Sequence, residues 1–112
     1  MRYAGNDYYC DVVLKDTSSF KIEYESSNVL AYHHTNPYWP VHVVVIPKKH
    51  IPSFTDRKIE DDIIILEIFE VIKKIAIKIE KETGAARILT NLGEYQESKH
   101  LHFHISSGEP LK

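Results

Sequence analysis

Near the carboxyl end of the chain, three histidines alternate with three large apolar residues. The segment reads His100, Leu101, His102, Phe103, His104 and Ile105. In an extended strand, successive side chains point to opposite faces, so the three imidazoles share one face and the apolar residues share the other. Burying an imidazole costs free energy unless the ring finds polar partners. We therefore predict that the histidine face is functional and that the apolar face belongs to the core.

Imidazole chemistry suits these histidines to reactions at phosphorus. The side chain titrates near neutral pH, so one ring can act as a neutral nucleophile while a neighbouring ring donates a proton to a phosphate oxygen. Direct attack by a ring nitrogen would form a phosphohistidine-type intermediate, which water then hydrolyses. The pattern thus favours a hydrolase or transferase that acts at phosphorus.

Two other interpretations of the histidines remain open. They can form a solvated edge face, with each ring satisfied by water and backbone groups. They can also contribute to a metal site, because His-x-His pairs ligate zinc. The outer two positions of the strand lie roughly 13 Å apart, however, so three rings do not converge easily on one ion. A metal would fit better between two of these histidines and His42.

Hydrophobic periodicity predicts the strands that must position these residues. Residues 21–25 alternate polar and apolar side chains, and the Ser26-Ser27-Asn28 turn allows residues 29–32 to return as a hairpin partner. After a loop with two prolines, residues 42–46 are rich in β-branched side chains and apolar on both faces. This composition predicts a central strand that is covered on both sides.

One long amphipathic helix, or two collinear helices, is predicted from about residue 56 to residue 83. Apolar residues recur there at steps of three or four: Ile59, Ile63, Leu66, Phe69, Ile72, Ile75 and Ile79. Gly84 is placed to end the helix in a left-handed conformation. Further strands are predicted over 87–90 and 100–106. Strands on both sides of one helix indicate an α+β domain with an antiparallel sheet.

Composition and charge limit the classes of function. The chain has 112 residues, a net charge of -2 and one cysteine, Cys10. We expect a single domain over residues 1–112, with a core over 7–108 and loose termini. The charge gives no broad attraction to nucleic acid or to a membrane, and no segment has the pattern of a signal peptide or a membrane span. Since a lone thiol suits a reducing compartment, we predict a cytoplasmic protein.

Two motifs resemble the histidine-triad (HIT) superfamily, and in particular its nucleotide-binding, phosphoramidase-like branch. The first is the alternating histidine segment followed by Ile105 and Ser106. The second is the upstream run from Pro40 to Ile51, which reads Pro-Val-His-Val-Val-Val-Ile-Pro-Lys-Lys-His-Ile. Asn91, Gly93 and Gln96 precede the triad much as the loop residues of that family do. The similarity extends over residues 10–108, which is nearly the whole chain.

The resemblance implies a fold, an activity and a role for individual residues. The fold would be a five-stranded antiparallel sheet with one long helix, paired into a homodimer whose sheet continues across the interface. Family members typically hydrolyse nucleoside phosphoramidates or related nucleotide conjugates, without a metal or other cofactor. His102 corresponds to the nucleophile, which becomes nucleotidylated. His104 resembles the histidine that contacts the phosphate and assists the leaving group, and His100 resembles the one that orients and polarises the centre.

Further positions match the substrate-binding residues of the family or depart from them. His42 and Asn91 match positions near the phosphate, and Gln96 matches a loop residue that helps to close the site. His34 stands where the family usually places an acidic residue that grips the ribose hydroxyls, and an imidazole cannot offer the two oxygens of a carboxylate. Glu97 stands where a small residue often meets the phosphate.

The amino-terminal end also departs from some family members. It lacks the Cys-x-x-Cys that those members use for structural zinc, because Cys10 is followed by Asp11, Val12 and Val13. This difference argues against that metal site. Our alternative to an enzyme is a non-catalytic module that binds a nucleotide or phosphate, or a histidine metal site. In the enzyme or the nucleotide-binding module, the expected ligand is a nucleotide-like small molecule.

Overall fold

The computed structural model describes residues 7–112; the predicted loose amino terminus, residues 1–6, lies outside this range. The strands are β1 (Ile22–Glu25), β2 (Val29–His33), β3 (Val41–Pro47), β4 (Arg87–Leu89) and β5 (Phe103–Ser107). They form one antiparallel sheet in the order β1-β2-β3-β5-β4. A long helix, α1 (Asp62–Thr83), connects β3 to β4. The predicted α+β architecture of five antiparallel strands and one long helix is confirmed.

β3 is the central strand and separates two cores. Val43, Val44, Val45 and Ile46 are all at most 1% exposed. Val43 and Val45 pack in the core that contains the buried face of α1, whereas Val44 and Ile46 pack with residues of the amino-terminal segment such as Tyr9. Because successive side chains of a strand point to opposite faces, a strand that is covered on both sides must be apolar throughout.

Helix α1 begins later than the periodicity predicted and buries a different face over its first half. It starts at Asp62, after a single turn of tighter helix over Ile59–Asp61, and it ends at Gly84, which has the predicted left-handed conformation with φ of 91°. The predicted apolar residues Ile72, Ile75 and Ile79 are buried, but Ile59, Ile63, Leu66 and Phe69 are exposed, and Ile65, Ile68 and Val71 are buried instead. Isoleucines occupy two faces of this helix, so spacing alone did not identify the buried one.

The last strand begins at Phe103, so the prediction of one strand over 100–106 was wrong at its start. In residues 100–102, individual hydrogen bonds to other segments of the chain replace regular strand pairing. The amide of Leu101 donates to the carbonyl of Ile51 at 2.6 Å, and the hydroxyl of Thr90 donates to the carbonyl of His102 at 2.7 Å. The three histidines therefore do not lie in one continuous strand. His104 lies in β5, whereas His100 and His102 precede it.

Within residues 7–112, we find no helix with both the length and the apolar character that a bilayer crossing requires.

Candidate active site

A cavity of about 680 Å³ opens beside the carboxyl-terminal strand and contains four histidines. Its histidines are His34, His42, His102 and His104. Aromatic residues account for much of the remaining wall: Tyr8, Tyr9, Tyr32, Tyr38, Trp39 and Tyr95. A concave, largely aromatic cavity with a few convergent polar groups is the usual form of a small-molecule site.

His42 and His104 are joined across neighbouring strands by a direct hydrogen bond. His42 lies near the start of β3 and His104 in β5, and His42 Nε2 lies 2.7 Å from His104 Nδ1. The backbone N–H of Tyr38 donates to His42 Nδ1 at 3.1 Å. Because a backbone N–H can only donate, the proton of the neutral His42 ring is on Nε2 and is donated to His104. The proton of the neutral His104 ring is then on its own Nε2.

His102 has the opposite protonation pattern. Its Nδ1 lies 2.8 Å from the backbone carbonyl oxygen of His100. A carbonyl oxygen can only accept, so Nδ1 carries the proton and Nε2 of the neutral ring has a free lone pair. The rings of His102 and His104 have their centroids 5.1 Å apart. The cavity thus combines an imidazole whose Nε2 can attack with an imidazole whose Nε2–H can donate.

Burial keeps these rings neutral. It lowers the pKa of His42 to about 4, with smaller contributions from His34 and Lys112. Burial and the neighbouring histidines lower the pKa of His104 to about 3. The pKa of His102 is also lowered, chiefly by burial. A neutral nucleophile beside a neutral N–H donor is therefore the resting state at pH 7.

His100 does not line the cavity with the other two histidines of the triad. It is fully buried, and its Nε2 donates to the carbonyl of Pro47 at 2.8 Å. Its Nδ1 faces a carboxylate oxygen of Asp7 at 3.0 Å and the sulfur of Cys10 at 3.3 Å. Its carbonyl is the acceptor that fixes His102, so the backbone of His100, as well as its ring, supports the site.

Of the predicted substrate-binding residues, His34, His42 and Asn91 line the cavity, whereas Gln96 does not. His34 and Asn91 line the cavity together with Glu97. The His34 ring stacks on that of His42 at 4.4 Å, and its Nδ1 accepts the N–H of Asn36 at 3.0 Å. Gln96 is not among the lining residues: its side chain is buried and its amide donates to the carbonyl of Pro52 at 2.7 Å.

Sequence reasoning missed Tyr9. Its ring lies 4.8 Å from that of His102 and 5.6 Å from that of His100, and it is only 5% exposed. No motif marks this residue, because it is more than 90 positions away from the triad and belongs to a short helical segment, Tyr9–Val13. Tyr38 and Trp39, which lie between the two prolines of the loop before β3, both line the cavity.

A second cluster of polar side chains lies behind the triad. One donor atom from each of Asp7, Cys10, His50 and His100 lies within 4.8 Å of the others, so these residues could hold a metal ion. Among the described residues, no such convergent group combines His42 with two histidines of the triad, which is the metal site that the sequence left open. Burial and the nearby Asp7 raise the pKa of the Cys10 thiol to about 11, which argues against Cys10 as a nucleophile.

Comparison with known protein sequences identifies one domain family. The HIT domain matches residues 15–111 of this chain. An uncharacterized HIT-like protein from Helicobacter pylori is 41% identical over 88 residues, which span 76% of this chain and 81% of that protein. An uncharacterized HIT-like protein from Rickettsia prowazekii is 32% identical over 115 residues, which span 97% of this chain and 92% of that protein.

Solved structures show the same fold over nearly the full length. A HIT family hydrolase from Clostridium thermocellum superposes with a TM-score of 0.79 at 30% identity, covering 98% of this chain and 96% of the other. A histidine triad protein from Clostridium difficile superposes with a TM-score of 0.77 at 34% identity, covering 99% and 97% of the two chains. The sheet order and the triad described above thus occur on a fold shared with HIT family hydrolases.

Proposed function

The chain belongs to the HIT family, and on that premise we propose that it cleaves a nucleoside phosphoramidate or a related nucleotide conjugate through attack of His102 Nε2 on phosphorus. The observation that carries this proposal is the pair of complementary tautomers in one cavity. The His100 carbonyl leaves Nε2 of His102 unprotonated, and the hydrogen bonds from Tyr38 through His42 leave Nε2 of His104 protonated. A nucleophile and a proton donor are both in place before substrate binds.

The first chemical step exchanges one bond at phosphorus for another. The lone pair of His102 Nε2 forms a bond to phosphorus, and the bond from phosphorus to the leaving amine breaks with its electron pair going to that amine. His104 Nε2–H supplies the proton that the amine takes up, while a proton from solvent enters the hydrogen-bonded His42–His104 pair, so that the pair stays neutral and Nε2 of His104 is left unprotonated. The carbonyl of His100 accepts a hydrogen bond from Nδ1 of His102 at 2.8 Å, so it stabilises the positive charge that the attacking ring acquires.

The second step releases the nucleotide. Water attacks the phosphorus of the nucleotidyl-His102 intermediate, the unprotonated His104 Nε2 accepts the proton of that water, and the His42–His104 pair releases one proton to solvent. The bond between phosphorus and His102 breaks, returning the electron pair to Nε2. Both rings are then back in their starting tautomers, and the products are an amine and a nucleoside monophosphate. An acceptor other than water would make the same chain a transferase.

The size and lining of the cavity support a nucleotide-like substrate. Its volume of about 680 Å³ is within the range of small-molecule sites. Tyr38 and Trp39 lie in one wall, and the Trp39 ring contacts that of His42 at 5.0 Å, so an aromatic surface adjoins the reacting residues. Asn91 adds an amide that can donate to a phosphate oxygen.

The direct test of this function is release of amine from adenosine 5′-phosphoramidate by the purified wild-type chain. We expect adenosine monophosphate and ammonia in equal amounts, and we expect much slower cleavage of a phosphodiester whose leaving group His104 cannot protonate as readily. The partly exposed His33 on β2, which pairs with Glu23 on β1, provides a matched control, since His33→Ala should leave the rate unchanged. If the chain binds the compound without cleaving it, a non-catalytic binding module is the better description.

The pH dependence of kcat/KM should reflect the lowered pKa of His102. Only the neutral ring can attack, and burial lowers its pKa from the ordinary value of 6.5. We therefore expect kcat/KM to fall on the acid side with a midpoint below pH 6.5, as Nε2 becomes protonated. A profile measured with the phosphoramidate from pH 4 to pH 9 checks this expectation; a loss of activity centred above 6.5 would disagree with it.

His34 should decide how the ribose is recognised. Its Nδ1 is already occupied by the N–H of Asn36, so the neutral ring offers an Nε2–H donor and no acceptor for a ribose hydroxyl. We expect the wild type to cleave ribo- and 2′-deoxyribonucleoside phosphoramidates with kcat/KM values within about threefold, and His34→Asp to gain about tenfold for the ribo form alone. Steady-state kinetics with the two compounds checks this, and an unchanged ratio in the variant would contradict it.

We also propose that two copies of the chain form a homodimer with a continuous sheet. Ile77 on α1 and Ile88 on β4 are both more than half exposed and line one largely apolar groove with Phe69, and β4 lies at one edge of the sheet. Pairing two copies through β4 would bury these side chains and satisfy the open strand edge. We expect the wild type to behave as a dimer and Ile77→Glu as a folded monomer in light scattering. A monomeric wild type would contradict the proposal.

A further inference from the structure

The cluster behind the triad has the donor types of a metal site. We infer that Asp7, Cys10, His50 and His100 bind one divalent transition-metal ion of the zinc class, with an aspartate oxygen in place of one thiolate. Asp7 and Cys10 are separated by two residues, which is the spacing of a Cys-x-x-Cys pair with its first cysteine replaced. In the sequence this pattern is hidden, because the replaced position precedes Cys10 and carries an aspartate. The inference does not depend on which substrate the cavity accepts.

The distances between the donor atoms suit one small ion. His100 Nδ1 lies 3.0 Å from Asp7 Oδ2 and 3.3 Å from Cys10 Sγ, and the sulfur lies 4.0 Å from His50 Nδ1. His50 Nδ1 and Asp7 Oδ2 lie 2.5 Å apart. Neighbouring donors in a tetrahedral zinc site are about 3.4–3.6 Å apart, given bonds of about 2.1 Å to nitrogen or oxygen and 2.3 Å to sulfur. Small shifts of side chains would bring all four to that separation.

The hydrogen bonds of His100 favour a cation between the donors. Its Nε2 must carry a proton, because it donates to the carbonyl of Pro47. In the neutral ring, Nδ1 then directs a lone pair at the carboxylate of Asp7, and either a metal ion or a proton between the two atoms makes this contact favourable. A ring that binds a metal through one nitrogen and donates its other N–H to a backbone carbonyl is the common arrangement of metal-ligating histidines.

The ion would join three distant segments around the nucleophile. Asp7 and Cys10 belong to the amino-terminal segment, His50 follows β3, and His100 precedes β5. Tyr9, which lies between the two amino-terminal donors in sequence, packs against the ring of His102. The half-exposed side chain of His50 leaves a route for an ion to enter. Metal binding would therefore hold Tyr9 against His102, so that the four ligands act as positioning residues for the active site.

The test is the metal content and metal-dependent stability of the full chain, made without a polyhistidine tag. After incubation with zinc sulfate and dialysis, we expect one zinc ion per chain by mass spectrometry of the metals. Asp7→Asn and Cys10→Ser should each weaken zinc binding by more than about 100-fold. A loss of that size exceeds the roughly 10- to 100-fold that follows when a residue hydrogen-bonded to a metal ligand is removed. At a zinc concentration of about 100 times Kd, the thermal midpoint of the wild type should rise by about 10 °C, and that of Asp7→Asn should not.

Matched variants separate this site from ordinary surface binding. Asp11→Asn changes an acidic residue next to Cys10, and His33→Ala removes a histidine on β2; both should keep full zinc binding. Cobalt should give tetrahedral visible bands together with a thiolate charge-transfer band that Cys10→Ser abolishes. Three results would overturn the inference: no retained metal, zinc binding unchanged in Asp7→Asn, or a cobalt spectrum without the thiolate band. Because none of these readouts is turnover, they stand apart from the outcome of the phosphoramidate assay.

Discussion

Replacing His102 with alanine is expected to lower kcat/KM for adenosine 5′-phosphoramidate by about 10⁴-fold or more, because the variant has no nucleophile and water must attack phosphorus directly. Neither of the other two triad histidines can replace His102 as the nucleophile. Nδ1 of His104 accepts a hydrogen bond from His42, and its Nε2 carries a proton, so the neutral His104 ring has no free lone pair. His100 is fully buried and does not line the cavity.

The fold should survive this change, which allows the loss of rate to be assigned to chemistry. His102 packs against Tyr9 at the edge of the cavity, and the cavity can admit water in place of the ring. Equilibrium binding of adenosine monophosphate should therefore change by less than about tenfold, so the effect should fall on kcat rather than on KM. A His102→Ala chain that retained even a tenth of the wild-type rate would contradict the role assigned to His102.

Replacing His104 with alanine should have an effect that depends on the leaving group. His104 Nε2–H is the proton donor, and positioned proton transfer contributes about 10²–10⁴-fold to rate. We expect a loss of that size for a phosphoramidate with a basic alkylamine, which must be protonated as it leaves. For an anilide with an electron-withdrawing ring, which leaves without full protonation, the loss should shrink to about tenfold or less.

His102→Ala supplies the comparison for this experiment. Removing the nucleophile should slow all leaving groups alike, because every substrate requires attack at phosphorus. Measurement of kcat/KM across a series of amine leaving groups should give a steeper dependence on amine basicity for His104→Ala than for the wild type. If kcat/KM depends on amine basicity in the same way in the two proteins, His104 does not deliver the proton. The tautomers assigned to His42 and His104 would then have no role in the reaction.

The sequence predicted those parts of the fold that depend on local periodicity. The run 42–46 was recognised as a doubly covered strand because every residue after His42 is apolar, and it became the centre of the sheet. The stop at Gly84 followed from the left-handed conformation that glycine adopts at the end of a helix. The family resemblance rested on the histidines themselves, so it was sound even where the predicted strand boundaries were not.

Other features depend on contacts that no local pattern encodes. His100 leaves the predicted strand because its neighbours bond to Ile51 and Thr90 rather than to a continuous ladder. Asp7 meets His100 across 93 positions of sequence, so the cluster behind the triad is visible only in three dimensions. The exposed isoleucines of α1 follow the same spacing as the buried ones, and only the position of the sheet distinguishes the two faces.

The central claim is that Nε2 of His102 forms a covalent bond to phosphorus, and trapping that adduct tests it most directly. The wild type is mixed with adenosine 5′-phosphoramidate, quenched within the first turnover and digested with trypsin, which cleaves after Lys99 and leaves the triad in one peptide. Electron-transfer fragmentation then locates the label. We predict an adenylyl group on His102 that appears and decays at the rate of turnover. Steady product formation with no adduct, or with the label on His100 or His104, would contradict the account.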